Sequence, residues 1–224
     1  MSVQLANHVK AILFDMDGTL VDTDNMVVDR LANRLRPIFR QRSRAVARWA
    51  LMRSESPGNS LVTWLDRLGL DERAMELTDR LRRRRGVYPA SEFRLIDGTE
   101  EMIHELSQRY ALAIVTTRSR YHIERFYERF PQLRPLFAVS CGLQDTRRLK
   151  PHPEPVLLAA ERLAIPVSHC LMVGDTTVDI RAGRNAGAWT VGVLCGFGER
   201  SELTRAGADA ILATTSHLGP LLSG

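Results

Sequence analysis

One stretch near the start of the sequence constrains the fold more than any other. Residues 9–23 read Val-Lys-Ala-Ile-Leu-Phe-Asp-Met-Asp-Gly-Thr-Leu-Val-Asp-Thr, so an apolar run ends abruptly in two carboxylates and an Asp-Gly turn signal. This pattern predicts a buried strand that delivers Asp15 and Asp17 into the loop at its carboxyl end. Because open parallel sheets bind their ligands at that end, the stretch also predicts where the chemistry lies.

The two carboxylates are close enough in sequence to act together. Asp15 and Asp17 are two residues apart, and in an extended chain their side chains point the same way. Two such negative charges require a cation between them, or one must hold a proton. Mg2+ suits carboxylate oxygens, and a carboxylate can also attack phosphorus while its neighbour transfers protons. An ordinary strand that ends in an Asx turn is the alternative.

Residues 22–94 differ from the rest of the chain in charge and in pattern. They hold 16 arginines against 10 acidic residues, whereas the remainder holds 15 Lys and Arg against 16 acidic residues. Apolar residues recur here at helical spacing without a strand pattern, which predicts an all-helical insert. Trp49 and Trp64 are interpreted as its core rather than as a stacking platform. We predict four helices in it, near 27–38, 44–53, 61–68 and 71–84.

From residue 95 onward, short apolar runs alternate with amphipathic segments, which is typical of a parallel sheet with helical crossovers. Strands are predicted at 112–115, 137–139, 170–173, 190–193 and 210–212. Helices are predicted at 99–109, 121–130, 156–163, 178–186 and 200–206, and Gly187 is placed to end the fourth of these. We therefore predict an α/β fold with a Rossmann-like parallel sheet core, 1–21 and 95–224. The helical cap, 22–94, is inserted directly after the two aspartates and can cover the site.

Polar side chains follow three further stretches of this core. Thr116 and Thr117 end one strand, where hydroxyls and free N–H groups can hold phosphate oxygens, although threonine is common in strands. Lys150 is one of two lysines beside 29 arginines, so it is either a required point charge or a solvated loop lysine. Asp175 could join the first carboxylate on a cation, with Asp179 one helical turn later, or could cap the helix. Four polar strand ends in one sheet favour a functional site.

Together these residues resemble the haloacid dehalogenase-like hydrolases, in their phosphatase branch with a helical cap. Residues 150–155 and 206–210 are also similar to bacterial phosphoglycolate phosphatases and their relatives. The Arg-rich cap resembles no cap of known substrate, so phosphoglycolate is the default expectation. The resemblance rests on Asp15-Met16-Asp17-Gly18-Thr19, the Thr116 strand end, Lys150-Pro151 and Gly174-Asp175 through Asp179, in the family's order and spacing.

The resemblance implies a role for each matched residue. Asp15 would be the nucleophile that accepts the phosphoryl group, and Asp17 would protonate the leaving oxygen and then activate water. Thr116 would bind a phosphoryl oxygen, while Lys150 would balance the charge of Asp15 and the transferring group. Thr117 stands where close relatives often have Asn and is a further candidate for contact with the phosphate.

The resemblance also implies a metal site. Mg2+ would be bound by Asp15, the backbone carbonyl of Asp17, and Asp175, with Asp179 in support. The expected function is a Mg2+-dependent phosphatase that hydrolyses a small phosphorylated metabolite through an aspartyl-phosphate. A phosphomutase of the same superfamily and a basic binding protein that retains the fold are the alternatives.

Composition limits the partners and the compartment. Cys141, Cys170 and Cys195 form no close pair, which favours a reduced intracellular compartment over a disulfide framework or a zinc site. No run approaches the roughly 18 apolar residues of a membrane span, so we expect a cytoplasmic protein without a membrane partner. The run Arg82 to Arg85 is interpreted as a solvated helix end, so nucleic acid is not an expected partner. Cap arginines either contact an anionic part of the substrate or form a solvated face, and the oligomeric state stays open.

Overall fold

The computed structural model describes residues 8–22, 32–43, 46 and 93–223. The strands in this part of the chain are β1 (Ala11–Phe14), β2 (Ala111–Val115), β3 (Phe137–Cys141), β4 (Cys170–Gly174), β5 (Trp189–Val193) and β6 (Ala210–Leu212). All six are parallel and form one sheet in the order β3-β2-β1-β4-β5-β6. The strand of the first motif is therefore central, with a neighbour on each side.

The sheet grows in two directions from β1. The chain passes through β2 to β3 on one side, and then crosses to β4, β5 and β6 on the other. The carboxyl ends of β1 and β4 therefore border the switch point at which open α/β sheets bind ligands. Phe14 of β1 lies opposite Val173 of β4, so the residues that follow these two strands emerge side by side.

Helices connect the strands, as the crossover pattern predicts. The helix at Thr177–Ala186 begins with a capping box between Thr176 and Asp179 and ends at Gly187, whose φ of 84° favours glycine. Short 3-10 turns lie at Pro131–Leu136, Val167–His169 and Thr215–His217. The helices described within 93–223 are α1 (Thr99–Ser107), α2 (Arg120–Arg129), α3 (Glu154–Arg162), α4 (Thr177–Ala186), α5 (Arg200–Ala206) and α6 (Leu218–Leu222).

Alternate residues of β1 pack on opposite faces of the sheet. Ile12 and Phe14 belong to one buried apolar cluster, which includes Phe126 of α2. Leu13 belongs to a second cluster, which includes Val156 of α3. Because both faces of the sheet are covered, β1 is a continuous apolar run rather than an alternating one.

The predicted cap is described only in part. Residues 32–39 are helical and lead into a 3-10 turn at Arg40–Arg42, so the helix predicted near 27–38 is present as far as it is described. Apart from residue 46, the other predicted helices lie outside the described residues, as do both tryptophans and the run of four arginines. The chain divides into two compact units, residues 1–22 with 93–224 and residues 23–92.

The segments that flank the insert pair with each other in the core unit. The Asp22 N–H donates to the Arg94 carbonyl at 2.8 Å, and Val21 and Leu95 form an antiparallel bridge. The chain therefore leaves and rejoins the core at one short ladder, directly after the loop of the two aspartates.

The predicted α/β class and the parallel sheet are confirmed. All six predicted strands are present within two residues of their predicted bounds. Helix α6 was not predicted, because it has only five residues and two of them, Gly219 and Pro220, are unfavourable inside a helix. No helix among the described residues is long and apolar enough to cross a membrane.

Candidate active site

Three neighbouring strands bring their following residues to one edge of the sheet. Asp15 follows β1, and its N–H donates to the carbonyl of Val173 in β4 at 2.9 Å. Asp175 follows β4 directly, and Thr116 follows β2, the strand on the other side of β1. All three residues are buried. The strand ends that the sequence singled out therefore meet at the switch point of the sheet.

Lys150, which lies in a loop, binds groups from three elements at this edge of the sheet. Its ammonium donates to Oδ1 of Asp15 at 2.6 Å, to Oδ1 of Asp179 at 2.6 Å and to the carbonyl of Val115 at 2.9 Å. Burial by itself would lower the pKa of Lys150, but Asp15 and Asp179 raise it above its usual range. The side chain is therefore a cation with all three of its hydrogens directed at named acceptors. Of the two expectations for Lys150, the solvated loop lysine is wrong.

The environment of Asp15 raises its pKa despite this lysine. Burial is the largest cause, the carboxylates of Asp179 and Asp17 add to it and Lys150 opposes it, and together they raise the pKa of Asp15 to about 7. An additional cation would stabilise its ionised form.

Asp15, Asp175 and Asp179 form a carboxylate cluster that fits a divalent cation. One oxygen of each lies within 4.8 Å of the others, and all three side chains are buried. When all three carboxylates are ionised, the single ammonium of Lys150 leaves an excess of two negative charges. Hard carboxylate oxygens in this number suit Mg2+, so the residues present fit the implied metal.

Asp179 is held on both of its carboxylate oxygens. Oδ1 accepts from Lys150, while Oδ2 accepts from the Thr176 N–H at 3.1 Å and the Thr176 hydroxyl at 2.6 Å. The residue thus starts helix α4 and orients the lysine at the same time. This arrangement suits support of a metal ligand better than direct ligation.

Asp175 is oriented by a loop that the sequence did not suggest. Its Oδ2 accepts from the backbone N–H of Phe197 at 2.9 Å. A Cβ on Gly196 would overlap the Asp175 carboxylate, and one on Gly198 would overlap the Asp175 carbonyl. The Gly-x-Gly spacing was the available signal, since paired glycines often mark a close approach of backbone. Thr176 is the helix cap, so the alternative that Asp175 caps α4 is wrong.

Asp17 has a partner of its own. Nε of Arg118 donates to its Oδ2 at 2.5 Å, and Nη2 donates to its Oδ1 at 2.6 Å. The guanidinium also lies over the ring of Phe93, 5.4 Å from its centroid. Sequence reasoning missed Arg118. The two aspartates have different cationic partners, since Asp15 is bound by Lys150 and Asp17 by Arg118.

The two threonines have different positions. The Thr116 hydroxyl is buried and accepts from the Arg118 N–H at 3.1 Å, whereas the Thr117 side chain is exposed. The structure therefore places Thr116 at the site edge beside Arg118, and Thr117 on the surface of the following turn.

The chain is similar to known proteins over most of its length. The family model of the haloacid dehalogenase-like hydrolases matches residues 9–187. Pyrophosphatase PpaX from Bacillus mycoides is 30% identical over 219 residues, which cover 96% of this chain and 97% of that protein. A haloacid dehalogenase-like hydrolase from Bacteroides fragilis has a TM-score of 0.71 and 25% identity, and the match covers 94% of this chain and 99% of that one. A predicted phosphoglycolate phosphatase from Haemophilus somnus shares the fold with a TM-score of 0.69 and 24% identity, over 96% and 98% of the two chains.

Proposed function

We propose that this chain, which belongs to the haloacid dehalogenase-like hydrolase family, is a Mg2+-dependent phosphatase that hydrolyses a small phosphorylated metabolite through an aspartyl-phosphate. The observation that carries the proposal is the buried contact of Lys150 with Asp15 beside two further carboxylates. A merely structural ion pair does not require an excess of buried negative charge, whereas a metal-assisted phosphoryl transfer site does.

Asp15 is the proposed nucleophile. Lys150 holds Oδ1, which fixes the rotamer and orients the other carboxylate oxygen for attack on phosphorus. As the new bond from Asp15 to phosphorus forms, the bond from phosphorus to the leaving oxygen breaks and Asp17 donates a proton to that oxygen. Water then attacks phosphorus and gives a proton to Asp17, and the bond from phosphorus to Asp15 breaks. Phosphate leaves and both aspartates return to their starting forms.

The metal would be held by Asp15, Asp175 and the backbone carbonyl of Asp17. Asp179, which accepts hydrogen bonds from Thr176 and Lys150, would support this site without binding the metal directly. When bound, it supplies positive charge to the phosphoryl oxygens and keeps the nucleophile ionised. Lys150 balances part of the negative charge of Asp15 and the phosphoryl oxygens. The Thr116 hydroxyl is the proposed contact for a phosphoryl oxygen. Thr117 stays a candidate contact, which its exposed position does not favour.

Two substrates are the first to test. A relative named as a pyrophosphatase suggests inorganic pyrophosphate, and the sequence resemblance suggests phosphoglycolate. Both are small phosphorylated anions. A phosphomutase would return the phosphoryl group to a sugar phosphate, and a binding protein would turn over nothing. The cytoplasmic location stays a prediction.

The test is phosphate release from a panel of phosphorylated metabolites that includes these two, with Mg2+ and with excess chelator. Asp15→Asn should lose activity, whereas Asp97→Asn, which changes an aspartate with 94% of its side chain exposed, should retain it. Turnover in chelator would refute the metal assignment, and full activity of Asp15→Asn would refute the covalent route. Product identification separates hydrolysis from return transfer.

A further inference from the structure

Arg118 contacts two of the proposed site residues but has no assigned role. Its N–H donates to the hydroxyl of Thr116, the proposed phosphate contact. Its guanidinium donates through two nitrogens to Asp17, the proposed proton donor, and packs against Phe93. The Arg118 side chain is 18% exposed and that of Asp17 is 35% exposed, so both side chains are partly accessible to solvent.

Proton transfer weakens the contact of Asp17 with Arg118, because a protonated carboxyl group accepts more weakly from a guanidinium than a carboxylate does. The guanidinium occupies both carboxylate oxygens of Asp17, one on Nε and one on Nη2. An oxygen that serves the leaving group must lie within hydrogen-bond distance of the leaving oxygen. Arg118 is also within hydrogen-bond distance of the Asp17 carboxylate. Two hydrogen-bond lengths then place its guanidinium within about 5–6 Å of the leaving oxygen. The atoms bonded next to the leaving oxygen are therefore within reach of the guanidinium.

The charge of the leaving group determines whether the guanidinium gains a new anionic partner. A leaving group that carries its own carboxylate or phosphoryl anion can replace the Asp17 carboxylate as the partner of Arg118 while Asp17 serves the leaving oxygen. A neutral leaving group offers no new anion, so part of the bidentate contact with Asp17 would weaken without a negative charge to replace it. Arginine suits such an exchange, since its planar fork binds carboxylate and phosphate in the same geometry.

We propose that Arg118 is a specificity-determining residue that exchanges Asp17 for a negative charge on the leaving group. The proposal rests on the proposed function, in which Asp17 serves the leaving oxygen. It assigns the substrate class: phosphate compounds whose leaving group is itself an anion. Pyrophosphate, which releases a second phosphate, and phosphoglycolate, which releases a carboxylate, both belong to this class.

The test compares kcat/KM for phosphoglycolate and for 2-hydroxyethyl phosphate, which has nearly the same shape but releases a neutral diol. Pyrophosphate is measured as a second anionic substrate. The wild type should prefer the anionic compounds, and Arg118→Gln should lower kcat/KM for them by about 10- to 100-fold, the usual size for the loss of a charge-assisted hydrogen bond. For 2-hydroxyethyl phosphate the loss should stay within about threefold.

Arg134→Gln is the matched control. Arg134 also binds one carboxylate through two nitrogens, at 2.8 and 3.2 Å from the oxygens of Glu124, but both side chains are exposed on the surface. Its substrate preference should equal that of the wild type. If Arg118→Gln does not fold by circular dichroism, Arg118→Lys is measured instead, since it loses the fork and should also lower the preference.

The outcomes separate this proposal from the one it rests on. Absence of turnover with every phosphate compound would overturn the proposed function. Turnover without preference for anionic leaving groups would overturn the role of Arg118 alone. The same holds if the folded Arg118 variant keeps the wild-type preference, because the charge would then be recognised elsewhere, for example by cap arginines.

Discussion

The ammonium of Lys150 lies 2.6 Å from Oδ1 of Asp15, although 135 residues separate them in the chain. The same ammonium is bound to Asp179 and to the carbonyl that ends β2. One side chain thus ties together the ends of two strands and the first turn of α4. Lys150 compensates buried charge as well as orienting the proposed nucleophile, so its removal should affect stability and activity together.

Lys150→Met should abolish turnover and lower the free energy of unfolding by about 3–5 kcal/mol without metal, because it leaves buried carboxylates without their cation. Lys10→Met is the natural control, since Lys10 is the other lysine and is exposed. Urea unfolding of both variants provides the measurement. If the two variants unfold within about 1 kcal/mol of each other, Lys150 does not carry this charge balance.

Asp175→Asn should separate metal binding from folding. In chelator this variant should be at least as stable as the wild type, because it removes one of three crowded carboxylates while an amide oxygen can still accept from Phe197. Saturating Mg2+ should stabilise the wild type by about 2.7 kcal/mol at a hundredfold excess over Kd, and Asp175→Asn far less. Thermal unfolding with and without Mg2+ measures both effects.

Asp97→Asn is the control for this comparison, because its aspartate is exposed and lies outside the cluster. It should respond to Mg2+ as the wild type does. If Mg2+ stabilises Asp175→Asn as much as it stabilises the wild type, Asp175 is not a metal ligand.

Asp17→Asn should accept a phosphoryl group but fail to release it. An activated aryl phosphate needs little protonation of its leaving oxygen, whereas attack of water on the aspartyl-phosphate needs a base. Phosphoenzyme should therefore accumulate, measurable as acid-stable label from a radioactive aryl phosphate. Asp15→Asn should incorporate no label. Wild-type turnover in Asp17→Asn would contradict the role of this residue.

The positions of the strand ends could be predicted from the sequence because each follows a visible apolar run. Asp15, Thr116 and Asp175 were found in this way, and Lys150 was found because lysine is rare in this chain. What could not be predicted is which carboxylates share the lysine. The contact of Lys150 with Asp179 depends on the path of a long loop and on the start of α4, neither of which has a periodic pattern.

Two further site residues gave no such signal. Arg118 is one of 29 arginines, so composition does not distinguish it, and its pairing with Asp17 joins segments 101 residues apart. Phe197 contributes a backbone N–H, which is independent of residue type. Only the glycines beside it could have indicated the close approach to Asp175.

An ion-pair cluster around Asp145, whose side chain is buried while those of its two arginine partners are exposed, gives a prediction about pH. Oδ1 of Asp145 accepts from Arg120 and Arg162, each at 3.0 Å, and Oδ2 accepts from the Gly142 N–H at 2.9 Å. Burial by itself would raise the pKa of Asp145, but the Gly142 N–H and the two guanidinium groups outweigh it and hold the pKa below its usual range. The ionised carboxylate is therefore favoured more in the folded state than in the unfolded state.

Asp145→Asn should for this reason lower stability at neutral pH and not in acid. A depressed pKa in the folded state stabilises the protein fully above the unfolded value, which is about 4 for aspartate, and the stabilisation is lost as pH falls through the folded value. We expect a loss of about 1–2 kcal/mol at pH 7, where the arginines lose a charged acceptor. The loss should shrink steadily below about pH 4.

Urea unfolding from pH 7 to pH 2.5 measures this loss in the free energy of unfolding. Asp97→Asn, whose aspartate is exposed, is the reference. A difference between Asp145→Asn and the wild type that is the same at every pH would mean that the side chain stabilises the fold by packing rather than by its charge.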